Sequence, residues 1–323
     1  IFFIDNSHGW AVGEHGKILF TTNGGKSWTI RPSGATVKLN AITFTSEQSG
    51  WVVGDKGTVL HSINAGVTWD RVPGPATEDL FGVSFVSPTE GWVVGARGAI
   101  WHTKDEGVSW QFQKSNSLNW LEDVKFTDPL HGVAVGSGGA ILRTEDGGEN
   151  WKRVDRNLRE WLYAIAFADA QRGYIVGAKG IILRTDDGGQ TWKDLESGVN
   201  GNLFGVALAS RNDVLVVGEQ GNIVHSKDAG QTWEIQPSVT STSLFAIAYR
   251  GGTNIWVAGR GGAILRRVDP IATVSLPVGK LPPVLVGGSS KLDGGEPAVD
   301  LEDIPRAVRK KKPVKPQLKP KTN

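Results

Sequence analysis

Residues 173–192 read G-Y-I-V-G-A-K-G-I-I-L-R-T-D-D-G-G-Q-T-W, two apolar runs separated by a short glycine turn and closed by an Asp-Gly-Gly turn and a tryptophan. An apolar run at residues 162–169 (L-Y-A-I-A-F-A-D) precedes this stretch, and T-W-K-D-L at residues 191–195 completes it. Short apolar runs bounded by Gly and Asp clusters are typical of β-strands joined by tight turns. The unit therefore predicts four short strands, and no apolar stripe in the chain has the period of a helix.

The same unit recurs along the chain with a period of 41 residues and no insertion. Three columns carry this period. The first contains Trp28, Trp69, Trp110, Trp151, Trp192 and Trp233, the second contains Gly13, Gly54, Gly95, Gly136, Gly177, Gly218 and Gly259, and the third contains Trp10, Trp51, Trp92, Val133, Tyr174, Leu215 and Trp256. Four-stranded units of about 40 residues that repeat radially are propeller blades. The sequence predicts an all-β, seven-bladed β-propeller.

The predicted propeller spans residues 1–278, and a tail spans residues 279–323. Ile1 lies one period before Ile42, so the inner strand of blade one is expected to be truncated, while A-T-V-S-L-P at residues 272–277 is expected to form the outer strand of blade seven. The tail begins with a linker rich in Pro, Gly and Ser. From residue 306 onward it contains eight Lys or Arg, three Pro and no acidic residue. Such a composition predicts disorder.

Charge divides the chain into a mildly acidic body and a basic tail. Residues 277–323 carry a net charge of +5, which leaves −3 for the remainder. A basic arm of this kind can contact phosphates, anionic lipid headgroups or an acidic protein, or can remain a solvated tail. No aromatic residue is interleaved with the bases, so a nucleic-acid partner is not expected.

The absent residue types exclude several chemistries. Cysteine is missing, which excludes disulfides, thiolate metal sites and cysteine nucleophiles. No apolar run approaches the roughly 18 residues of a membrane-spanning helix. Methionine is missing even at position 1, so any signal peptide would lie upstream of this sequence.

The turn between the third and fourth strands of each unit carries a recurrent T-x-D-x-G-x-T-W signature, which resembles the Asp-box of bacterial neuraminidase repeats. Clear copies begin at Thr21, Ser62, Thr103, Thr144, Thr185 and Ser226. The Asp or Asn side chain can accept hydrogen bonds from its own turn, and the Trp can fill the space between sheets. Six nearly identical turns are expected to be architectural. The acids lack the alternating ligand pattern of a calcium loop, so neither a metal nor a cofactor is predicted.

Because Asp-boxes occur in sialidases, a glycoside hydrolase is the alternative hypothesis. A retaining sialidase uses a tyrosine nucleophile, a carboxylate partner and clustered arginines. Each of the three tyrosines replaces another aromatic residue at a core-like repeat position: Tyr163 aligns with Phe81, Phe204 and Phe245, Tyr174 lies in the tryptophan column, and Tyr249 aligns with Phe44, Phe85, Phe126 and Phe167. His61, His102 and His225 share a third-strand column, and His8, His15 and His131 lie in turns. The sequence therefore predicts no catalytic residues and a protein that is not an enzyme, with sialidase-like cleavage or carbohydrate binding as the alternative.

Residues 1 to about 276 combine the 41-residue period with a G-W-V-V-G motif and an R-T-x-D-G-G-x-T-W motif. In these features they resemble the photosystem II stability and assembly factor family. That resemblance implies a chaperone-like scaffold that binds a membrane-protein partner without chemistry. It also implies an exported protein of the periplasm or thylakoid lumen. We expect a monomer. The basic, proline-rich tail departs from the compact family pattern.

The expected binding surface is the propeller face that carries two sets of loops. Turns between strands two and three carry His15, Lys56, Arg97, Lys179 and Arg260, and loops from strand four to strand one carry Lys38, Asp79, Trp120, Trp161, Asn202 and Ser243. Trp120 and Trp161 are not explained by the repeat, and aromatics flanked by cations are typical of interaction hot spots. We predict a partner-binding face at Lys56, Arg97, Trp120, Trp161, Lys179 and Arg260, with an acidic protein segment as its ligand.

Overall fold

A computed structural model describes residues 1–75 and 77–267, which form 27 strands in seven antiparallel sheets and contain no α-helix. Within each sheet the strands follow one another in chain order. The first strands of neighbouring sheets pack together, so these inner strands form the hub of the ring. The seven-bladed propeller is confirmed. The predicted outer strand of blade seven, the domain boundary after residue 278 and the tail lie outside the described residues.

The strands of the first four blades have the following bounds. Blade one contains Phe2–Phe3, Gly9–Val12, Ile18–Thr21 and Thr29–Arg31, and blade two contains Leu39–Phe44, Gly50–Gly54, Thr58–Ser62 and Asp70–Arg71. Blade three contains Leu80–Phe85, Gly91–Gly95, Ile100–Thr103 and Gln111–Gln113, and blade four contains Leu121–Phe126, Gly132–Gly136, Ala140–Thr144 and Lys152–Arg153. The inner strand of blade one has two residues, whereas that of blade two has six.

Blade five contains Leu162–Phe167, Gly173–Gly177, Ile182–Thr185 and Lys193–Leu195, and blade six contains Leu203–Leu208, Val214–Gly218, Ile223–Ser226 and Glu234–Ile235. The described part of blade seven has three strands, Leu244–Tyr249, Ile255–Gly259 and Ile264–Arg266. Single 3-10 turns lie at Glu14–Gly16, Ala96–Gly98, Ser137–Gly139, Ala178–Gly180, Glu219–Gly221 and Arg260–Gly262.

Aromatic stacking between blades explains the column of large residues in the second strands. Trp92 of blade three is fully buried and stacks on Phe126 of blade four, with ring centroids 3.5 Å apart. Trp256 of blade seven stacks in the same way on Phe3 of blade one, at 3.8 Å. Large flat rings bury much apolar area in offset-stacked pairs. The contact between the last and first blades therefore closes the ring by the same stacking that joins blades one to four.

A hydrogen bond joins neighbouring blades at five of the interfaces in the described ring. The backbone carbonyl of a strand 3–4 turn accepts a hydrogen bond from a Trp or Arg side chain of the preceding blade. The donor–acceptor pairs are Trp10 to Ala65, Trp92 to Gly147, Arg143 to Gly188, Arg184 to Ala229 and Trp256 to Gly24. The Trp donors lie in second strands and the Arg donors lie in third strands. The bond is therefore also present in blades four and five, where Val133 and Tyr174 take the place of the second-strand Trp.

The six strand 3–4 turns share one network of internal hydrogen bonds. In the turn that ends at Trp192, the Asp187 Oδ1 accepts the backbone N–H of Thr191 at 2.9 Å, and the Thr185 hydroxyl oxygen accepts the N–H of Gly189 at 2.9 Å. The other five turns repeat both bonds. Their acids and hydroxyls therefore hold the turns together, which is the architectural role expected from the sequence.

Candidate functional site

Backbone hydrogen bonds join the two loop sets on one face of the propeller, which we call the upper face. In blades two to seven, the first residue of the strand 2–3 turn donates its N–H to the carbonyl that precedes the inner strand of the same blade. The bonds run from Asp55 to Lys38, Ala96 to Asp79, Ser137 to Trp120, Ala178 to Trp161, Glu219 to Asn202 and Arg260 to Ser243, all at 2.8–2.9 Å. The loops that carry Trp120 and Trp161 are thus fixed to the blades rather than free.

Close packing beneath these loops explains part of the glycine column. A Cβ on Gly136 would lie 1.8 Å from the Trp120 carbonyl oxygen, and a Cβ on Gly177 would lie 2.4 Å from that of Trp161. Gly13 occupies the same repeat position in blade one and has no such neighbour within 4 Å. Glycine is therefore required where a loop carbonyl lies directly on the end of the second strand.

A β-bulge occurs near the beginning of the inner strand in blades two to seven. The pairing register shifts by one residue there, so the bulged residue leaves the regular alternation of side chains. The bulged residues are Asn40, Phe81, Glu122, Tyr163, Phe204 and Phe245. They lie at the upper end of the hub, which we call the hub mouth, next to the loops that carry the two extra tryptophans.

The bulged aromatics and the two loop tryptophans form one continuous chain of rings, which we call the aromatic arc. Successive ring centroids are 5.1–6.3 Å apart, within the range of favourable aromatic pairs. The arc runs in the order Phe81, Trp120, Trp161, Tyr163, Phe204 and Phe245. Five of these residues are half-buried, and Phe204 is 9% exposed. The arc extends from blade three to blade seven and offers flat apolar area at the hub mouth.

Leu118 adds an exposed aliphatic side chain beside the arc. It lies two residues before Trp120 in the same loop and is 87% exposed. An exposed leucine alone is ordinary. Its position beside partly exposed aromatic rings extends the apolar surface of the upper face. Sequence reasoning missed Leu118, because a loop residue has no periodic pattern to mark it.

The structure places the four predicted cations on the upper face, and all four are exposed. Lys56 and Arg97 occupy the middle of their turns, whereas Arg260 lies one position earlier in its turn. The Lys179 ammonium pairs with Glu160 at 3.0 Å. Acidic groups are also present on these loops, since Glu14 pairs with Lys38 at 3.2 Å. The exposed cations therefore have acidic neighbours on the same face and do not form a uniformly basic ring.

Carboxylates surround the phenol of Tyr163 at the hub mouth. Burial and the negative charges of Glu122 and Glu219 raise the pKa of Tyr163 to about 12. Glu219 accepts hydrogen bonds from the backbone N–H and the side-chain amide of Asn202, at 3.1 and 2.9 Å. A raised pKa keeps the phenol protonated, which is the opposite of what a tyrosine nucleophile needs.

The second tyrosine that could serve a hydrolase lies at the far end of its inner strand. The Tyr249 hydroxyl donates to Asp213 Oδ2 at 2.8 Å, and the ring of His225 pairs with Asp213 Oδ1 at 2.6 Å. Burial and the Asp213 carboxylate raise the pKa of Tyr249. The trio joins blades six and seven, and Tyr249 and His225 are both buried. It is an interface contact rather than a nucleophile with its base.

Neither a metal centre nor a membrane-spanning helix occurs in the part of the chain that the structure describes. No three His, Asp or Glu side chains of residues 1–75 and 77–267 are grouped so as to hold a metal ion. The same residues contain no helix long and apolar enough to cross a bilayer. The upper face is the candidate site because it brings partly exposed aromatic rings and exposed cations together.

The family model of the photosynthesis system II assembly factor YCF48 matches residues 1–77, 115–196 and 149–234, together more than half of the chain. The chain belongs to the YCF48 family. This agrees with the resemblance drawn from the repeat motifs. No curated protein sequence matches the chain.

Solved structures similar to this member of the YCF48 family include YCF48 bound to D1 peptide, with 23% identity over 82% of this chain and 89% of that chain and a TM-score of 0.69. YCF48 from Cyanidioschyzon merolae has 22% identity over 83% and 94%, also with a TM-score of 0.69. The GH74 xyloglucanase from Xanthomonas campestris has 14% identity over 80% and 50%, with a TM-score of 0.65. These likenesses show the propeller fold.

Proposed function

We propose that the chain is a non-catalytic assembly factor, of the photosystem II type, that holds a segment of a membrane protein on its upper face. The observation that carries this proposal is the aromatic arc, whose rings are partly exposed and held by loops that are hydrogen-bonded to the blades. Rigid aromatic side chains contribute large contact areas at low entropic cost. Membership of the YCF48 family supports the proposal, as does the existence of a YCF48 structure with a D1 peptide bound.

The exposed cations of the upper face would steer and orient that segment. Lys56 donates its backbone N–H to Asp79, which precedes the inner strand of the next blade. Arg97 and Trp120 occupy the equivalent two positions one repeat later. Charges at the rim of an interface act mainly on the association rate and its salt dependence. Lys56, Arg97, Lys179 and Arg260 are therefore assigned to contacts with acidic groups of the partner.

A partner of this kind places the protein beside a membrane. The proposed location is the periplasm or the thylakoid lumen, and the proposed state is a monomer. The tail beyond residue 278 is assigned the secondary role of contacting an anionic surface.

The experiment is affinity capture from detergent-solubilised membranes of the source organism, with the captured proteins identified by mass spectrometry. Trp120→Ala with Trp161→Ala should reduce capture of the partner at least tenfold, because central aromatic anchors contribute about 2 kcal/mol or more each. Phe112→Ala is the matched control, since Phe112 is 54% exposed on the outer strand of blade three, outside the upper face. Equal capture by wild type and the double variant would remove the upper face from consideration.

A second experiment tests the cations. Reversing the charges of Arg97, Lys179 and Arg260 to Glu should slow association and flatten its salt dependence. Reversal of the exposed Lys104, in the strand 3–4 turn of blade three on the opposite side, is the control. Unchanged association in the triple variant would contradict the role assigned to these residues.

Carbohydrate is the alternative ligand, because aromatic arcs stack on sugar rings and the fold is shared with GH74 enzymes. A glycan array and a screen with fluorogenic sialosides distinguish the two proposals. Glycan binding that depends on Trp120 and Trp161, or turnover that is lost on replacing Tyr163 or Tyr249 by Phe, would favour the carbohydrate function.

A further inference from the structure

We propose that His102, Gln113 and Trp151 form an acid-sensitive lock between blades three and four, which opens when the His102 ring takes up a second proton. Gln113 ends the outer strand of blade three, and the loop that follows it carries Leu118 and Trp120 to the upper face. The lock therefore lies at the root of that loop and makes the position of the loop depend on pH. The consequence for partner binding rests on the proposed function.

The side chains of the lock are buried between the two blades. His102 and Trp151 are each 4% exposed, and Gln113 is 7% exposed. His102 also stacks on the fully buried Trp92, with ring centroids 4.2 Å apart. The Gln113 amide occupies the space beside Gly148, where a Cβ would lie 1.9 Å from the amide oxygen. The repeat does not require an amide here, because the same outer-strand position holds Val72, Val154 and Leu195 in blades two, four and five.

Hydrogen-bond chemistry fixes the direction of each bond in the lock. The Trp151 indole N–H can only donate, so the atom it meets at 3.1 Å is the Gln113 Oε1. The Gly147 carbonyl can only accept, so the Gln113 Nε2 donates to it at 2.8 Å. That nitrogen also lies 3.4 Å from His102 Nδ1, which therefore accepts its second hydrogen. His102 consequently carries its own proton on Nε2, which donates to Glu90 Oε1 at 3.1 Å.

A second proton on the His102 ring is incompatible with these bonds. A protonated Nδ1 is a donor, and it would face the donor Nε2 of Gln113. Rotating the amide by a half-turn would supply an acceptor to His102. It would also place the amide oxygen against the Gly147 carbonyl and the amide nitrogen against the Trp151 N–H. Both arrangements leave buried polar groups unpaired, so Gln113 has to move when the ring becomes charged.

The charges around His102 act in both directions, and burial decides between them. Burial is the largest effect and lowers the pKa of His102. Glu90, in the strand 1–2 turn, favours the charged ring, whereas Lys104, in the strand 3–4 turn, lowers the pKa further. The groups of blade four that bond to the lock, an indole N–H and a backbone carbonyl, are neutral. Because the pKa in the fold lies below the ordinary value of about 6.5, the full stability is present above about pH 6.5 and is lost progressively as the pH falls below it.

Nuclear magnetic resonance of the whole chain, with isotope-labelled histidine and tryptophan, tests the lock. We expect His102 to be the Nε2–H tautomer at about pH 7.5 and to titrate below about pH 6.5, and the Trp151 indole signal to shift with the same midpoint. Trp151→Phe assigns that signal. His102→Phe should abolish the shift, and phenylalanine suits this repeat position because blade one has Phe20 there. His61→Phe is the matched control and should leave the shift unchanged, because His61 occupies the same position in blade two, where Val72 replaces the glutamine.

Hydrogen exchange followed by mass spectrometry tests the link to the loop. After correction for the intrinsic effect of pH, residues 114–120 should exchange faster at about pH 5.5 than at about pH 7.5 in the wild type, and His102→Phe should lose this difference. Residues 196–202 form the equivalent loop after Leu195 and serve as the control within the same sample. Their exchange should not change.

The possible outcomes separate the lock, its link to the loop and the proposed function. An Nδ1–H tautomer, a ring still charged at about pH 7.5, or a Trp151 signal that does not follow the titration of His102 would overturn the lock. A shared titration with unchanged exchange in residues 114–120 would overturn the link to the loop.

Affinity capture from solubilised membranes at the same two pH values adds the functional test. A lower capture at the acidic pH in the wild type, but not in His102→Phe, supports control of the upper face by the lock. An equal fall in both proteins would overturn that control. Capture that does not depend on Trp120 and Trp161 at either pH would contradict the proposed function, while the resonance measurement would still decide whether the lock exists.

Discussion

Replacing Trp256 by phenylalanine should destabilise the propeller more than the same replacement at Trp51. Both side chains are fully buried at the same repeat position, and each stacks on a phenylalanine of the next blade. The hydrogen bonding of the indole N–H distinguishes them. The Trp256 Nε1 donates to the Gly24 carbonyl at 2.8 Å, whereas the Trp51 Nε1 has no acceptor among the described residues.

The magnitude follows from that difference. Both replacements remove similar apolar volume, at a cost of about 1–2 kcal/mol each. Phenylalanine at Trp256 also leaves the buried Gly24 carbonyl without a partner, which costs about 1–3 kcal/mol. At Trp51 the replacement removes an unsatisfied donor, so no such cost arises. We expect the free energy of unfolding to fall by about 2 kcal/mol more for Trp256→Phe than for Trp51→Phe.

Equilibrium unfolding in urea, followed by tryptophan fluorescence and far-ultraviolet circular dichroism, measures both variants against the wild type. With a slope of about 2–3 kcal/mol per molar urea, the two midpoints should be separated by roughly 1 M. Midpoints that coincide, or a lower midpoint for Trp51→Phe, would refute the assignment of the polar bond as a stabilising part of ring closure.

Two further predictions concern the scaffold of the site. Gly136→Ala should destabilise the fold by about 1–3 kcal/mol and displace the Trp120 loop, because its Cβ would overlap the Trp120 carbonyl. Gly13→Ala should change the stability by less than about 1 kcal/mol, because its Cβ would meet no neighbour. Thermal unfolding of the two variants checks this difference, and equal losses of stability would contradict it. The Asp228 carboxylate accepts hydrogen bonds from Thr232, which lower the pKa of Asp228 from 3.8 to about 2. The ionised carboxylate therefore stabilises the fold above about pH 4, and this stabilisation is lost as the pH falls toward 2. Asp228→Ala should therefore lower the urea midpoint at pH 7 but have little effect at pH 2, and an equal loss at both values would contradict the role of the charge.

The sequence predicts the propeller well, because one unit repeats without insertion. The position of Trp51, Trp92 and Trp256 in strict phase marks the second strand of each blade, and stacking between blades accounts for that column. Placement of the two loop sets on one face also follows from the order of strands in a blade. The turn acids such as Asp187 prove architectural, as the repetition indicated.

The aromatic arc was only partly predictable. Trp120 and Trp161 depart from the repeat and could be singled out, but Tyr163 aligned with three phenylalanines and was interpreted as a core-like residue. The β-bulge at this position alters the side-chain alternation, so Tyr163 lies half-buried at the hub mouth instead. Pattern reasoning assumes unbroken alternation and could not foresee this shift. The polar residues Asn40 and Glu122 at the same repeat position were the available signal that this column is not a core column.

The sequence reveals only part of the charge arrangement on the upper face. Loop membership identifies Lys179, but not the carboxylate that reaches it from another loop. Glu160 lies 19 residues from Lys179 in the sequence, and only the packing of successive loops brings the two together. Charge complementarity therefore has to be derived from the folded arrangement.

Site-specific photo-crosslinking in the source organism tests the central claim most directly. A benzophenone amino acid introduced at Trp120 or Trp161 should crosslink to a segment of a membrane protein, and the crosslinked peptide should be identifiable by mass spectrometry. The same probe at Phe112, exposed on an outer strand, should give no such product. Crosslinks to the partner from Phe112 and none from Trp120 or Trp161 would show that the partner binds elsewhere on the propeller.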